Sequence, residues 1–405
     1  MKKLRVGVWI NGDYKPEEGG GFGYYTQLIN AICNYNFTDA EIIFIANKFS
    51  NDWDKKDKSY QIRTPEFSTS SLPIWYRITN RIATILNLQL SDYKYDKAKI
   101  ENNEMVKKEL SNVIDILYYP TPGCMVENFP YIYTLWDVGH LSNYAFPELV
   151  MNDAYEIRKE HHDLFPQKAL MVFCESQSGK NEAIHFLNLS QSRIKVVPIF
   201  PSEIINDKIN SEKPGVLKEN SFFIHYPAQF WSHKNHYNLL LAFETVLVKF
   251  PNLKLIFSGS DKGNKEYISG LIKELNLNDS IIDLGFVKIE ELKWIYQHSQ
   301  GLVMPTLLGP TNMPLLEAAE LNCSVACSNL EGHKEQLGDY GYYFDPLNAK
   351  EISKEIIRMI EDKQNGKRYI YHSNFNITNA LSQIDKAFSE IKNIRFCWGT
   401  NDKIY

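Results

Sequence analysis

Between residues 304 and 319 the chain reads Met304-Pro305-Thr306-Leu307-Leu308-Gly309-Pro310-Thr311-Asn312-Met313-Pro314-Leu315-Leu316-Glu317-Ala318-Ala319. The apolar run Gly301 to Met304 predicts a buried strand. A loop of Gly, Pro, Thr and Asn follows, and Met313 to Glu320 predicts the first turns of a helix. Pro314 falls near that start, where a missing N–H costs nothing. Strand, loop and helix N-terminus bring free backbone N–H groups and the positive end of a helix dipole to one spot, which suits a phosphate. Glu317 lies about one turn in, near the same mouth, where a carboxylate would accept hydrogen bonds from ribose hydroxyls. On this stretch alone the alternative is an ordinary βα turn with Glu317 complementing the dipole.

The same alternation extends on both sides. Strands are predicted at Phe222–Tyr226, Lys254–Ser258, Ile281–Leu284, Ser324–Cys327 and Gly341–Phe344. Helices are predicted at His236–Val248, Lys265–Leu275, Ile289–Ser299 and Ala349–Ile360, with a turn at Gly332. Alternation with short loops predicts a parallel, doubly wound sheet. The first half has strands at Leu4–Ile10, Glu41–Ala46, Ile114–Tyr119, Tyr131–Leu135, Ala169–Cys174 and Ile194–Val197. After its first strand comes the loop Gly19-Gly20-Gly21-Phe22-Gly23, then a helix from Tyr24 to Ile32. That loop would let a ligand approach the backbone, although it is neither a G-x-G-x-x-G fingerprint nor a P-loop. The fold class is therefore α/β, with two Rossmann-like doubly wound domains facing each other across a cleft. The expected boundaries are residues 1–200, a polar linker at 201–220, a second domain at 221–375, and a helix and tail at 376–405 that pack back on the first domain.

A chain of 405 residues exceeds one ordinary core, which also predicts two domains. Its 44% hydrophobic and 23% charged residues are those of a globular protein, and a net charge of −5 gives no support for nucleic-acid binding. The six Cys are scattered without a C-x-x-C pair. Cys323 and Cys327 lack the spacing and the His partners of a zinc site, so no metal site is expected. Free thiols and a first strand that runs straight into Asn11-Gly12-Asp13, with no signal peptide before it, point to the cytoplasm. Ile74, Ile78, Ile82, Ile85 and Leu88 form an apolar stripe beside Arg77 and Arg81. Such a stripe either packs on a sheet or lies on an anionic membrane surface as a peripheral contact.

The strand Tyr131–Leu135 delivers Trp136-Asp137-Val138-Gly139-His140 into a loop. Ligands of open α/β sheets bind at the carboxyl ends of strands. Asp137 and His140 thus sit where an acceptor hydroxyl is deprotonated or a phosphate gripped. The alternative is that Asp137 starts a turn and His140 is a satisfied loop residue.

With these residues assembled, the run Phe222 to Pro346 resembles the donor-binding domain of retaining GT-B glycosyltransferases, specifically glycosyltransferase family 4. The family places two glutamates eight positions apart around a Gly-Phe-Gly-x-Pro turn. The later one matches Glu317, whereas the earlier falls on Gly309 and the turn on Pro310-Thr311-Asn312. This resembles a variant in which Gly-Pro-Thr-Asn replaces the first half of the motif. In the loop Tyr226–Asn235 the family's diphosphate-binding Lys falls on Lys234 and its Arg on Gln229, so one positive charge is missing and His233 or His236 is left as a partial replacement.

The resemblance implies a sugar transfer, with retention, from a nucleotide-diphosphate-sugar to a hydroxyl of a glycan or lipid-linked acceptor. The family often does this in surface polysaccharide assembly at the inner membrane face. It implies no cofactor and no metal. The implied donor set is Gly21, Gly23, Gln229, Lys234, Gly259, Phe286, Val287, Gly309, Thr311, Asn312, Met313 and Glu317. Lys234 and the Thr311–Asn312 amides would meet the diphosphate, and Glu317 the ribose. Asp137 or His140 would position the acceptor. Two alternatives stay open: a non-catalytic nucleotide- or glycan-binding protein, and a nucleotide-sugar hydrolase or epimerase, against which the loss of the first Glu argues.

Overall fold

The computed structural model describes residues 2–11, 20–49, 53, 55–62, 104–126, 128–218, 220–367 and 369–399. Gly19 and the stripe from Ile74 to Leu88 lie outside these residues. In the first half the expected strands form β1 (Leu4–Trp9), β2 (Ala40–Ala46), β4 (Ile116–Tyr118), β5 (Tyr131–Leu135), β6 (Met171–Cys174) and β7 (Ile194–Val196), and the polar segment Ser59–Gln61 adds an unexpected edge strand, β3. The second half gives β8 (Phe223–Pro227), β9 (Lys254–Ser258), β10 (Ile281–Asp283), β11 (Leu302–Met304), β12 (Val325–Ser328) and β13 (Gly341–Phe344). They make two sheets, ordered β3-β2-β1-β4-β5-β6-β7 and β10-β9-β8-β11-β12-β13. Among the described residues every strand pairing is parallel. All five residues of β5 are buried. Parallel strands covered on both faces lose the apolar–polar alternation, which is why strands such as β6 and β11 read as apolar runs.

In each sheet the chain builds outward from its first strand and then crosses to that strand's other side. β1 lies between β2 and β4, and β8 between β9 and β11. The crevice outside the carboxyl ends at such a reversal is where open α/β sheets take ligands. The loops after β8 and β11, which hold Lys234 and Asn312, flank the second reversal.

The helix Met313–Glu320 carries Pro314 in its first turn after an extended Asn312. Leu315, Ala318 and Ala319 pack into the core of the second domain, whereas Leu316 packs with the core of the first. One helix therefore joins both cores. The last helix, Ile377–Phe396, returns to the first domain. Ala380, Leu381, Ile384, Ala387, Phe388 and Ile391 recur at three- and four-residue steps and pack with Leu4, Val6 and Phe44 of β1 and β2. Residues after 201 pack on the second domain. Ile204 is fully buried in its core, and Lys293 Nζ donates to the carbonyls of Asn206 (2.7 Å) and Ile209 (3.0 Å).

Two expected turns are helical. Gly21 and Gly23 lie not in a loop but inside the helix Gly20–Asn34. The first four N–H groups of a helix lack intrahelical partners in any case, so low helix propensity costs least there. Gly332 is inside the helix Glu331–Leu337. A Cβ at this position would sit 1.5 Å from the Pro310 carbonyl oxygen, so the glycine permits close approach of helix and loop instead of making a turn.

Candidate active site

The turn after β8 is stapled from several directions. Asn235 adopts φ +58° and its Oδ1 receives the Asn238 N–H at 3.4 Å, starting the helix His236–Lys249. Asn235 Nδ2 donates to the carbonyls of Pro305 (3.0 Å) and Pro346 (2.7 Å). Tyr226 donates its hydroxyl to the Lys234 carbonyl at 2.7 Å, and Leu307 N–H reaches the His233 carbonyl at 2.9 Å. The half-buried Lys234 side chain points Nζ at Asn312 Oδ1, 3.3 Å away. Loss of solvent lowers its pKa to about 8, opposed by the Glu148 charge.

Asn312 is oriented in turn. His333 Nδ1 lies 2.9 Å from the Ser328 carbonyl, which can only accept, so that nitrogen carries the proton. His333 Nε2 then accepts from Asn312 Nδ2 at 2.9 Å, which leaves Asn312 Oδ1 for the lysine. Burial holds His333 neutral, with a pKa down at about 4, as this relay requires. Gln336 grips the same residue's main chain, accepting from Asn312 N–H (2.9 Å) and donating to its carbonyl (3.1 Å). The Asn312 amide expected to meet a diphosphate is therefore already occupied. Thr311 gives its hydroxyl to Glu175 of the first domain at 2.8 Å.

The missing positive charge is not restored by either histidine. His236 is fully buried, its ring stacked on Phe230 at 4.5 Å, and burial drives its pKa to about 3. Burial also lowers His233 despite the carboxylate beside it. Both rings are neutral at pH 7. Gln229 does not face a ligand with its oxygen, which accepts from Trp231 Nε1 at 3.0 Å.

Glu317 is buried, and both its oxygens are engaged. Oε1 accepts from Ser202 Oγ and Oε2 from the Tyr296 hydroxyl at 3.0 Å. Burial raises its pKa. Gly259, at φ +153°, lets the β8 and β9 loops touch, since a Cβ there would lie 2.3 Å from the Ala228 carbonyl. Gly309 also needs a glycine backbone, at φ +118°. Phe286 is 82% exposed in the loop after β10, with Val287 half-buried beside it, and Met313 opens the helix after Asn312.

In the first domain Asp137 accepts from Gly139 N–H at 2.8 Å and is ion-paired with Arg158. With Asn11, Thr121, Trp136, Arg158 and His161 it lines a cavity of about 360 Å³ at the carboxyl edge of that sheet. His140 is not in that lining, but Arg158 Nε, 3.5 Å from its Nδ1, links it to Asp137. The ring is buried against His162 (4.8 Å between centroids) and Tyr155, and burial takes its pKa to about 4. A second cavity of about 780 Å³ lies between the domains, bounded by Gln177, Asn181 and Glu182 on one side and Gly309, Pro310 and Glu335 on the other. Burial raises Glu175 and Glu182, each to about 7.

Sequence reading missed Glu148, Arg158, Glu175, Ser202, His333, Gln336 and Glu335. Glu175 carried the signal that selected Asp137, an acid at the carboxyl end of a buried strand. Glu335 takes the N–H groups of Gln177 (2.7 Å) and Ser178 (2.9 Å) at the start of a first-domain helix, a pairing that spacing does not reveal.

Residues 207–374 match the model of Glycosyl transferases group 1. O-antigen chain mannosyltransferase B of Escherichia coli is 25% identical over 232 residues, 55% of this chain and 60% of that protein, so the chain spans less than two thirds of that relative. Sucrose-phosphate synthase of Thermosynechococcus elongatus has a similar structure, with a TM-score of 0.61, 14% identity and coverage of 98% of this chain and 100% of that one. So does Anabaena HepE, solved in complex with UDP and glucose, with a TM-score of 0.62, 16% identity and coverage of 96% and 100%. The chain thus has the two-domain, Rossmann-like GT-B fold, and its second half carries the match to the group 1 glycosyltransferases.

Proposed function

We propose that this chain is a glycosyltransferase that moves a sugar from a nucleotide-diphosphate-sugar to a hydroxyl of a glycan or lipid-linked acceptor, with retention at the anomeric carbon. The observation that carries the reading is Lys234, desolvated at the reversal of the second sheet and aimed through the Asn312–His333 relay. In the reaction the bond from the anomeric carbon to the diphosphate oxygen breaks, and a glycosidic bond to the acceptor oxygen forms on the same face. The departing phosphate oxygen takes the acceptor proton. Lys234 stabilises the charge that develops on that leaving group, where low dielectric makes it effective. The reaction takes no metal and no cofactor. The helix start at Gly21 and Gly23 lies under the phosphates, Phe286 and Val287 meet the base, and Asp137 positions the acceptor in the cavity it lines. A donor ribose shares the Glu317 carboxylate with Ser202.

The O-antigen relative supports a role in polysaccharide assembly, and the UDP and glucose bound by HepE support a nucleotide-sugar donor. A lipid-linked acceptor would place the enzyme on the cytoplasmic face of a membrane as a peripheral protein. Among the described residues no helix is long and apolar enough to cross one. The test is a thermal-shift panel of UDP, GDP, ADP, CMP and their sugar conjugates on the wild type and Glu317→Ala. A ligand of the folded state raises the melting temperature by mass action. One nucleotide is expected to stabilise the wild type and to lose that effect in the variant. No shift with any of them would overturn the reading.

A further inference from the structure

One carboxylate crosses the cleft to the lysine turn. Glu148 sits in the single-turn helix Pro147–Val150 of the first domain. Its Oε1 accepts two hydrogen bonds from His233 of the second domain, from the main-chain N–H at 2.9 Å and from Nδ1 at 2.5 Å. The side chains are only 8% and 11% exposed. Phe146 and Trp231 hold the imidazole, with ring centroids at 6.1 and 6.5 Å. Burial alone would raise the Glu148 pKa, but the His233 hydrogen bonds bring it down to about 2, so the group is an anion at any working pH. A single oxygen thus fixes both the main chain and the ring of the residue that precedes Lys234.

We propose that Glu148 is a positioning residue for the donor diphosphate: it sets the His233–Lys234 turn, and it does so only when the two domains are in contact. The inference rests on the donor reading above, because it gives Lys234 a diphosphate to meet. The geometry requires the domains to be together, since the anchor and the turn belong to opposite sides of the cleft. The titratable groups that act on Lys234 also point this way. His233, His236 and His333 face it as neutral rings, and Glu148 is the anion that favours its protonated form. Loss of Glu148 therefore both frees the turn and lowers the pH at which Lys234 gives up its charge.

The experiment is calorimetric titration of the full chain with UDP, GDP and ADP and with the matching monophosphates, between pH 6 and 9. The proteins are the wild type, Glu148→Gln and Glu148→Ala. In the wild type the diphosphate binds more tightly than the monophosphate. In Glu148→Ala that preference falls about tenfold, the loss of one charge-assisted contact. Glu148→Gln keeps an oxygen for both His233 donors, so it recovers most of the preference at pH 6. Without the charge, its loss of affinity with rising pH sets in at a lower pH than in the wild type. A diphosphate preference and pH midpoint unchanged in both variants, with the wild type binding normally, overturn the proposal and leave the donor reading intact. No nucleotide binding by the wild type overturns both. If Glu148→Ala does not fold, as its melting curve would reveal, Glu148→Gln decides alone, and an unshifted midpoint counts against the proposal.

Discussion

The turns that follow β5 and β8 each carry a group of ionisable residues at the cleft, and they are completed differently. The first-domain turn finds its partners at home: Asp137 binds Gly139 N–H and Arg158, and His140 packs on His162 and Tyr155. It meets the other domain through an apolar contact, Leu308 against Gly139. The second-domain turn takes a key partner from across the cleft, the Glu148 carboxylate on His233. Local pairing neutralises a charge before the domains meet, whereas a partner on the far side makes the arrangement conditional on their contact. The first turn is therefore complete within its own domain, whereas the second is completed by a residue of the other.

The largest effect expected is that of Lys234→Ala. A hydrogen bond to a charged group contributes about 1.5–3 kcal/mol, so nucleotide-diphosphate affinity should fall about 50-fold by calorimetry. A loss under threefold would break the comparison, since the second turn would then hold no working charge. Next is Glu175→Gln, which tests the one polar contact from Thr311 to the first domain. The native carboxyl keeps its proton up to about pH 7, above the ordinary 4.5. The stability this provides is complete below pH 4.5 and lost as pH rises through 7. Glutamine has nothing to ionise, so the variant should gain on the wild type by about 2 kcal/mol between pH 5 and pH 8 in denaturant melts. An equal pH slope in both proteins would refute this.

Gly139→Ala probes the apolar contact. A Cβ there would come within 2.4 Å of Leu308 Cδ1, the end of a flexible side chain. A cost of about 1 kcal/mol is expected, with nucleotide affinity unchanged. A coupled loss of affinity would mean the first turn also depends on the other domain. The smallest effect is that of His236→Phe. Neither ring nitrogen of His236 has a partner, and the ring stacks on Phe230. A phenyl ring keeps the stacking and removes two unpaired polar atoms, so stability should change by less than about 1 kcal/mol and nucleotide binding not at all. A loss of affinity would restore His236 as a phosphate ligand.

The sheets were legible because parallel strands buried on both faces leave apolar runs, as in β6 and β11. The helix Met313–Glu320 announced itself through Pro314. Helix ends were less legible. The helix Ala154–Lys168 runs through Pro166, a residue that ordinarily marks a helix end. The glycines at 20–23 signal backbone freedom, and the same freedom is compatible with a loop or with a first helical turn. At the site, Lys234 and Asn312 could be selected one at a time from their own neighbourhoods. Glu148 could not, because its partner lies 85 positions away and nothing in Phe146-Pro147-Glu148 records it. Gln336 and His333 were hidden for the same reason: they act on Asn312 from a different helix.

The return of the last helix to the first sheet also has a mechanical meaning. Among the described residues the chain passes between the cores twice, from Phe200 to Ile204 on the way out and, on the way back, from Tyr371, which packs on both cores, to Phe375. Each tether spans four residue-to-residue steps, about 14 Å when fully extended. Two bodies joined at one point can swivel about three axes. Joined at two, they turn chiefly about the line through both, as a door does on a pair of hinges. Any separation of Glu148 from His233 would then follow one arc, and a single proteolytic cut in either tether would leave the halves attached.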